Sequence, residues 1–153
     1  MSKKQVKMLA KAISLASKHH DGQLYGDKPY ILHPMRVMLS LSIHDLEIQQ
    51  IAIMHDLVED TEVSALDLLD YGFSTRVVNA IALLTHNPKE SYEHYIEGIS
   101  TSIDATIVKL ADLADNSDLS RQKPGSPARL AKYREAMKYL NVTLARLYIE
   151  KTK

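Results

Sequence analysis

The chain has no cysteine and no tryptophan, one phenylalanine, and only five glycines and five prolines in 153 residues. Without cysteine there are no disulfides and no thiolate chemistry, and any zinc site would lack sulfur ligands. Nineteen basic residues are matched by nineteen acidic ones, so the formal net charge is zero. No global field recruits DNA, RNA or an anionic membrane, and an anionic substrate must be held by local basic groups or by a metal. No run approaches the ~20 apolar residues of a membrane span. The opening MSKKQVKMLAKAISLASKHH has no apolar core of the kind a secretory signal needs. A cytoplasmic protein is the expectation. Hydrophobic residues make up 45% of a length that suits one domain with its own core.

With so little glycine and proline, helical periodicity dominates what is there. Val6, Leu9, Ile13 and Ala16 predict a first helix over 4–18, with Gly22 as its stop. DGQLYGDKPYILH reads as a loop, and His33-Pro34 opens a second helix. Asp45 caps a third over 46–60. Ser64 starts a short helix ending near Tyr71-Gly72, Ser74 or Thr75 another through Leu84, and Ser91 caps one carrying Tyr92, Tyr95, Ile96 and Ile99. Ile103, Ile107, Leu110 and Ala114 stripe a helix over 103–119. After the loop RQKPGSP, Pro127 begins a long helix to about 150. There Leu130, Tyr133, Met137, Leu140, Leu144 and Leu147 form a heptad seam, which packs along the bundle or, alternatively, joins a homodimer. Eight or so helices without a strand pattern predict an all-α fold in one domain, 1–153, with a motif core over 20–119.

The stretch that matters most is IAIMHDLVEDT, Ile51 to Thr61. On a continuous helix His55, Asp56, Glu59 and Asp60 share one face, with Ile51, Met54, Leu57 and Val58 opposite. A helix apolar nearly all round before His55 is a buried one. Three carboxylates and an imidazole on a buried face need cations or donors to offset their desolvation, and a divalent metal supplies that. His33, in YILHP, and Asp112, in the apolar IVKLADLADN, complete a set of two histidines and two carboxylates with His55 and Asp56. Mixed imidazole and carboxylate ligands suit manganese or iron, with zinc a further option. Glu59 and Asp60 then stand beside the metal, where carboxylates can take a proton from an activated water.

His33, the His55-Asp56 dyad and Asp112 resemble the H…HD…D pattern of the HD phosphohydrolase superfamily. GQ…PYILHP, HDLVEDT and VKLADLADN are more closely similar to the hydrolase domain of the RelA/SpoT family, whose stand-alone versions include metazoan SpoT homologues and small bacterial alarmone hydrolases. The resemblance implies an HD-type helical bundle that binds a single Mn²⁺ through His33, His55, Asp56 and Asp112. It implies Glu59 and Asp60 as the catalytic carboxylates and Asn116 near the ribose and phosphates of the substrate. The family reaction is removal of the 3′-pyrophosphate from (p)ppGpp.

The chain departs from that pattern at Leu24-Tyr25-Gly26-Asp27-Lys28, where many members carry a basic pair, and at Leu113, where an arginine is frequent. Tyr25 is a candidate to stack on a base, and Lys28 and Lys109 are candidates to hold phosphates. Arg36, Arg121, Lys123 and Arg129 are further local cations. His19, His20, His44, His86 and His94 have no ligand spacing and read as surface or loop residues. Two other readings stand beside the (p)ppGpp hydrolase. One is a phosphatase of another nucleotide, such as NADPH or a nucleoside monophosphate. The other is a helical binding module whose metal is structural.

Overall fold

A computed structural model describes residues 2–42, 44–120 and 126–153. In chain order these form α1 (Lys3–His19), the strands β1 (Leu24–Tyr25) and β2 (Lys28–Pro29), then α2 (Leu32–Leu39), α3 (Leu46–Met54), α4 (Leu57–Asp60), α5 (Ala65–Asp70), α6 (Thr75–Leu84), α7 (Tyr92–Ile99), α8 (Ile103–Asn116) and α9 (Pro127–Lys151). The all-α expectation holds. The strands are only a two-residue antiparallel hairpin turned at Gly26, whose φ of +64° suits glycine.

The helix LEIQQIAIM carries one charge in nine residues. Every residue of it except Glu47 is buried, as an all-round apolar helix requires. It is the axis of the bundle, packed against α1, α2, α6 and α8. Ile51, Ile53 and Met54 are fully enclosed, and each such side chain contributes about 1.5–3 kcal/mol. The predicted caps are in place. The Asp45 carboxylate accepts from the Glu47 and Ile48 N–H groups. Ser64 forms a reciprocal capping box with Asp67, and Ser74 and Ser91 cap α6 and α7; Ser126, which is not among the predicted caps, caps α9. Each such cap is worth about 1 kcal/mol.

Several boundaries differ from the sequence reading. The helix predicted over 46–60 breaks at His55-Asp56, where Asp56 leaves the helical region at φ −100°, ψ 0°. The His55 imidazole donates Nδ1–H to the Ala52 carbonyl at 2.8 Å. In an unbroken helix that oxygen would accept the Asp56 N–H, so the side chain ends the helix by taking its acceptor. The helix predicted over 103–119 stops at Asn116 with Ser117 as its C-cap. The second helix begins at Leu32, a residue ahead of His33. The α9 seam turns toward the bundle: Leu140 is enclosed, and Tyr133 and Met137 pack on the core. Val142, Tyr148 and Ile149 of the same helix are exposed. No helix among the described residues is long and apolar enough to cross a membrane.

Candidate metal centre and active site

Three helices deliver the cluster. α2 carries His33 in its first turn, the end of α3 presents His55 and Asp56, and the last turn of α8 presents Asp112 and Asp115. His33, His55 and Asp112 are all buried. Each imidazole spends its Nδ1 on an oxygen: His33 on Asp115 Oδ2 at 2.8 Å, His55 on Ala52 O at 2.8 Å. With the proton on Nδ1, each Nε2 offers a lone pair to the centre.

The four inward atoms converge. His33 Nε2 lies 3.1 Å from Asp112 Oδ1 and 3.8 Å from Asp56 Oδ2. His55 Nε2 lies 2.9 Å from Asp56 Oδ2 and 3.5 Å from Asp112 Oδ1. Ligands held at about 2.0–2.2 Å from one ion stand roughly 3 Å from each other. Among the described residues His55 Nε2 is nevertheless buried without a hydrogen-bond partner, although Asp56 is close. The atoms therefore point at a shared position rather than at one another. Buried polar atoms are rarely left so, and a divalent cation fits this donor set. His33, His55 and Asp112 form one group whose ligand atoms lie within 4.8 Å of one another, and Asp56 forms another with Glu59 and Asp60.

The surrounding groups hold this arrangement. Arg36 grips Asp115 through Nε and Nη2 at 2.8 and 2.9 Å, which aims Asp115 at His33. Lys109 donates to Asp112 Oδ2 at 2.8 Å, and Asn116 Nδ2 donates to Asp112 Oδ1 at 2.7 Å. The Tyr25 hydroxyl donates to Asn116 Oδ1 at 2.7 Å, while its ring stacks on His33 with centroids 5.2 Å apart. Tyr30 donates to Asp56 through a short hydrogen bond.

The charges are strongly interdependent. Burial alone would raise the Asp112 carboxyl, but Lys109, His33 and His55 outweigh it and hold it well below the usual carboxylate range. Burial likewise opposes charge on His55, yet Asp56 and Asp112 push the imidazole well above its ordinary value. Glu59 is raised, first by burial and then by Asp56 and Asp60, although the His86 N–H it accepts works the other way. Asp60 is raised by burial and by Asp56. Raised carboxyls are the better proton acceptors.

Sequence reasoning placed the four inward residues and the Glu59-Asp60 pair, and the fold brings all six together. Lys109 and Asn116 lie against Asp112, as above. Lys28 is exposed beside Asp27, at the edge of a cavity of about 280 Å³ lined also by Tyr25, Leu32 and Arg36. Arg121 and Lys123 lie outside the described residues, and Arg129 is exposed in the first turn of α9. His20 is not a surface residue. It is buried, with Nδ1 on Gln23 Oε1 at 2.8 Å and its ring against Tyr30 at 4.9 Å. His86 is half-buried and lines a second cavity of about 230 Å³ with Glu59, Lys109 and Leu113. Asp115, Tyr30 and Tyr92 were not singled out for a role. Asp115 had one available signal, a position one turn beyond Asp112 on the same helix face.

No family model matches the chain. A protein of Danio rerio named guanosine-3′,5′-bis(diphosphate) 3′-pyrophosphohydrolase MESH1 is 34% identical over 130 residues, covering 76% of this chain and 72% of that one. A guanosine-3′,5′-bis(diphosphate) 3′-pyrophosphohydrolase of Vibrio cholerae is 27% identical over 148 residues. The match covers 86% of this chain but only 21% of the length of that much longer relative. A solved structure described as a metazoan ortholog of SpoT that hydrolyzes ppGpp superposes with a TM-score of 0.71 at 24% identity, covering 94% of this chain and 95% of that one. That likeness establishes the fold. Taken with the identity to the zebrafish protein over most of both lengths, it shows that the chain belongs to the guanosine-3′,5′-bis(diphosphate) 3′-pyrophosphohydrolase family of MESH1 and SpoT.

Proposed function

We propose that this chain is a Mn²⁺-dependent hydrolase that removes the 3′-pyrophosphate from (p)ppGpp. The observation that carries the reading is the convergence of His33 Nε2, His55 Nε2, Asp56 and Asp112 on one position, with His55 Nε2 buried and unpartnered among the described residues. Those four residues would hold the ion. When bound, it supplies Lewis acidity toward water and the phosphoryl oxygens. The chain's own groups do the rest. Glu59 and Asp60 accept the proton given up by the attacking water and orient it. Lys109 and Asn116 fix Asp112. Asp115 fixes the His33 tautomer. The products are pyrophosphate and GDP or GTP.

The test is pyrophosphate release from ppGpp by purified protein stripped of metal and reloaded with Mn²⁺. Glu59→Ala combined with Asp60→Ala should reduce turnover by about 10²–10⁴-fold while leaving the helical circular dichroism unchanged. Unaltered turnover in that double variant sinks the assignment of the two carboxylates.

A second reading keeps the chemistry and changes the nucleotide. It is favoured by the 24–28 hairpin, where Tyr25 packs on His33 and Lys28 is the single cation. NADPH and nucleoside monophosphates assayed beside ppGpp decide between the two. Cleavage of one of them with ppGpp inert transfers the function to that substrate.

A further inference from the structure

The cavity of about 230 Å³ beside Glu59 is lined also by Tyr92 of α7 and by Lys132 and Tyr133 of α9. A whole ligand usually occupies about 300–1,000 Å³, so this space suits one arm of a nucleotide. Asn116 lines it too, and its Oδ1 accepts from Tyr25, which lines the 280 Å³ cavity. The Tyr25–Asn116 hydrogen bond thus links the linings of the two spaces.

Two lysines reach the 230 Å³ cavity. Lys109 is committed to Asp112 at 2.8 Å. Lys132 is different. Its ammonium sits 4.3 Å from the Tyr92 ring centroid and 5.9 Å from that of Tyr133. Among the described residues it has no carboxylate within ion-pair distance. The nearby Glu135 pairs with Lys138 instead, at 3.0 Å. Two aromatic faces hold a flexible stem in place without neutralising its charge. Among the described residues the Tyr92 hydroxyl is buried with no hydrogen-bond partner, which is the condition of a group that awaits a ligand or water.

The charge balance decides what this arm is. Glu59 on the cavity wall repels a free anion, so an anionic arm needs a cation on the same wall. A single phosphate held at the cluster leaves Lys132 unused. A diphosphate places its inner phosphate at the cluster and its outer one toward α9. We propose that Lys132, positioned by Tyr92 and Tyr133, is a specificity determinant that binds the outer phosphate of a 3′-diphosphate and so selects diphosphate over monophosphate groups. This rests on the phosphohydrolase reading above and adds to it the residue that reads the length of the leaving group.

The experiment is titration calorimetry of the Mn²⁺-loaded protein with inorganic pyrophosphate and, separately, orthophosphate. Lys132 is exposed, so Lys132→Met should fold normally, which a melting curve checks. One charge-assisted contact of about 1.5–3 kcal/mol corresponds to roughly a 10–100-fold loss of pyrophosphate affinity, with orthophosphate changed by less than about threefold. Lys132→Arg should keep most of the preference. Steady-state kinetics should show the same factor mainly in KM for ppGpp. Pyrophosphate affinity unchanged in Lys132→Met overturns the proposal, as do equal losses for both anions or wild-type protein that binds neither. If wild-type protein leaves ppGpp intact but Lys132→Met still loses pyrophosphate selectively, the substrate reading fails and the role of Lys132 stands. If ppGpp is cleaved equally well by both proteins, the reverse holds.

Discussion

Replacing Asp115 with alanine removes a carboxylate that does not face the convergence point and should nevertheless lower its affinity for metal. Asp115 Oδ2 lies 2.8 Å from His33 Nδ1, with both side chains buried. The bond keeps the proton on Nδ1 and the Nε2 lone pair pointed at the cluster. Without it, the neutral imidazole is free to carry its proton on Nε2, the form that cannot ligate. Losing a carboxylate behind a ligating histidine typically costs 10–100-fold in metal affinity, or about 1.4–2.8 kcal/mol. Stability should fall less. Arg36 loses a bidentate partner but its side chain is 28% exposed, so water takes over part of the role. A loss of about 1–2 kcal/mol translates to a melting-point drop of roughly 2–8 °C for a chain of this size. Titration of the stripped protein with Mn²⁺ by calorimetry measures the first quantity and a thermal melt without metal the second. At saturating Mn²⁺ the variant should regain most of its turnover. Metal affinity within threefold of wild type, alongside the lower melting point, would refute the idea that Asp115 acts through His33.

Three further outcomes are expected. Chelation of Mn²⁺ should lower the melting temperature, and Mn²⁺ in hundredfold excess over its Kd should restore about 2.7 kcal/mol, read as a concentration-dependent shift in differential scanning calorimetry. Leu140→Ala, at an enclosed position where α9 meets the bundle, should cost about 2–5 kcal/mol, seen as a lower urea midpoint. Asp45 caps α3 and shares Arg76 with Asp104. Burial would raise its carboxyl, but the Arg76 pairing and the cap hydrogen bonds outweigh that and hold it below its ordinary 3.8. Its stabilisation is therefore complete above that value and is lost as the pH falls through the depressed one. Asp45→Asn should be less stable than wild type at pH 7, and the gap measured by urea denaturation should close as the pH drops below about 3.8. A gap independent of pH would place the effect elsewhere.

Much of this protein is legible locally. The apolar run before His55 announces a helix buried on all sides, and α3 is that helix. Ser64, Ser74, Ser91 and Asp45 announce helix starts because a capping oxygen reaches only two or three residues along the chain. His33, His55, Asp56 and Asp112 stand out because polar groups in apolar surroundings demand a partner. Other features were hidden even at short range. The break at His55-Asp56 depends on which atom the Ala52 carbonyl accepts, and periodicity does not register a side chain that competes with the backbone.

What the sequence by itself determined is the set of helices, their caps and the residue types able to hold a metal, since these follow from interactions within about one helical turn. What only the tertiary structure decided is which groups meet. Asp115 reaches His33 across 82 positions, and Tyr25 reaches Asn116 across 91. His20, beside a glycine turn, is buried under Tyr30. Lys132 comes to stand over Tyr92, with no carboxylate partner among the described residues, only when α9 is laid across α7 and α8. The physical reason is one of range. A helix is encoded by neighbours in the chain, whereas the direction of a lone pair or a free charge is settled by packing between segments that the chain keeps far apart.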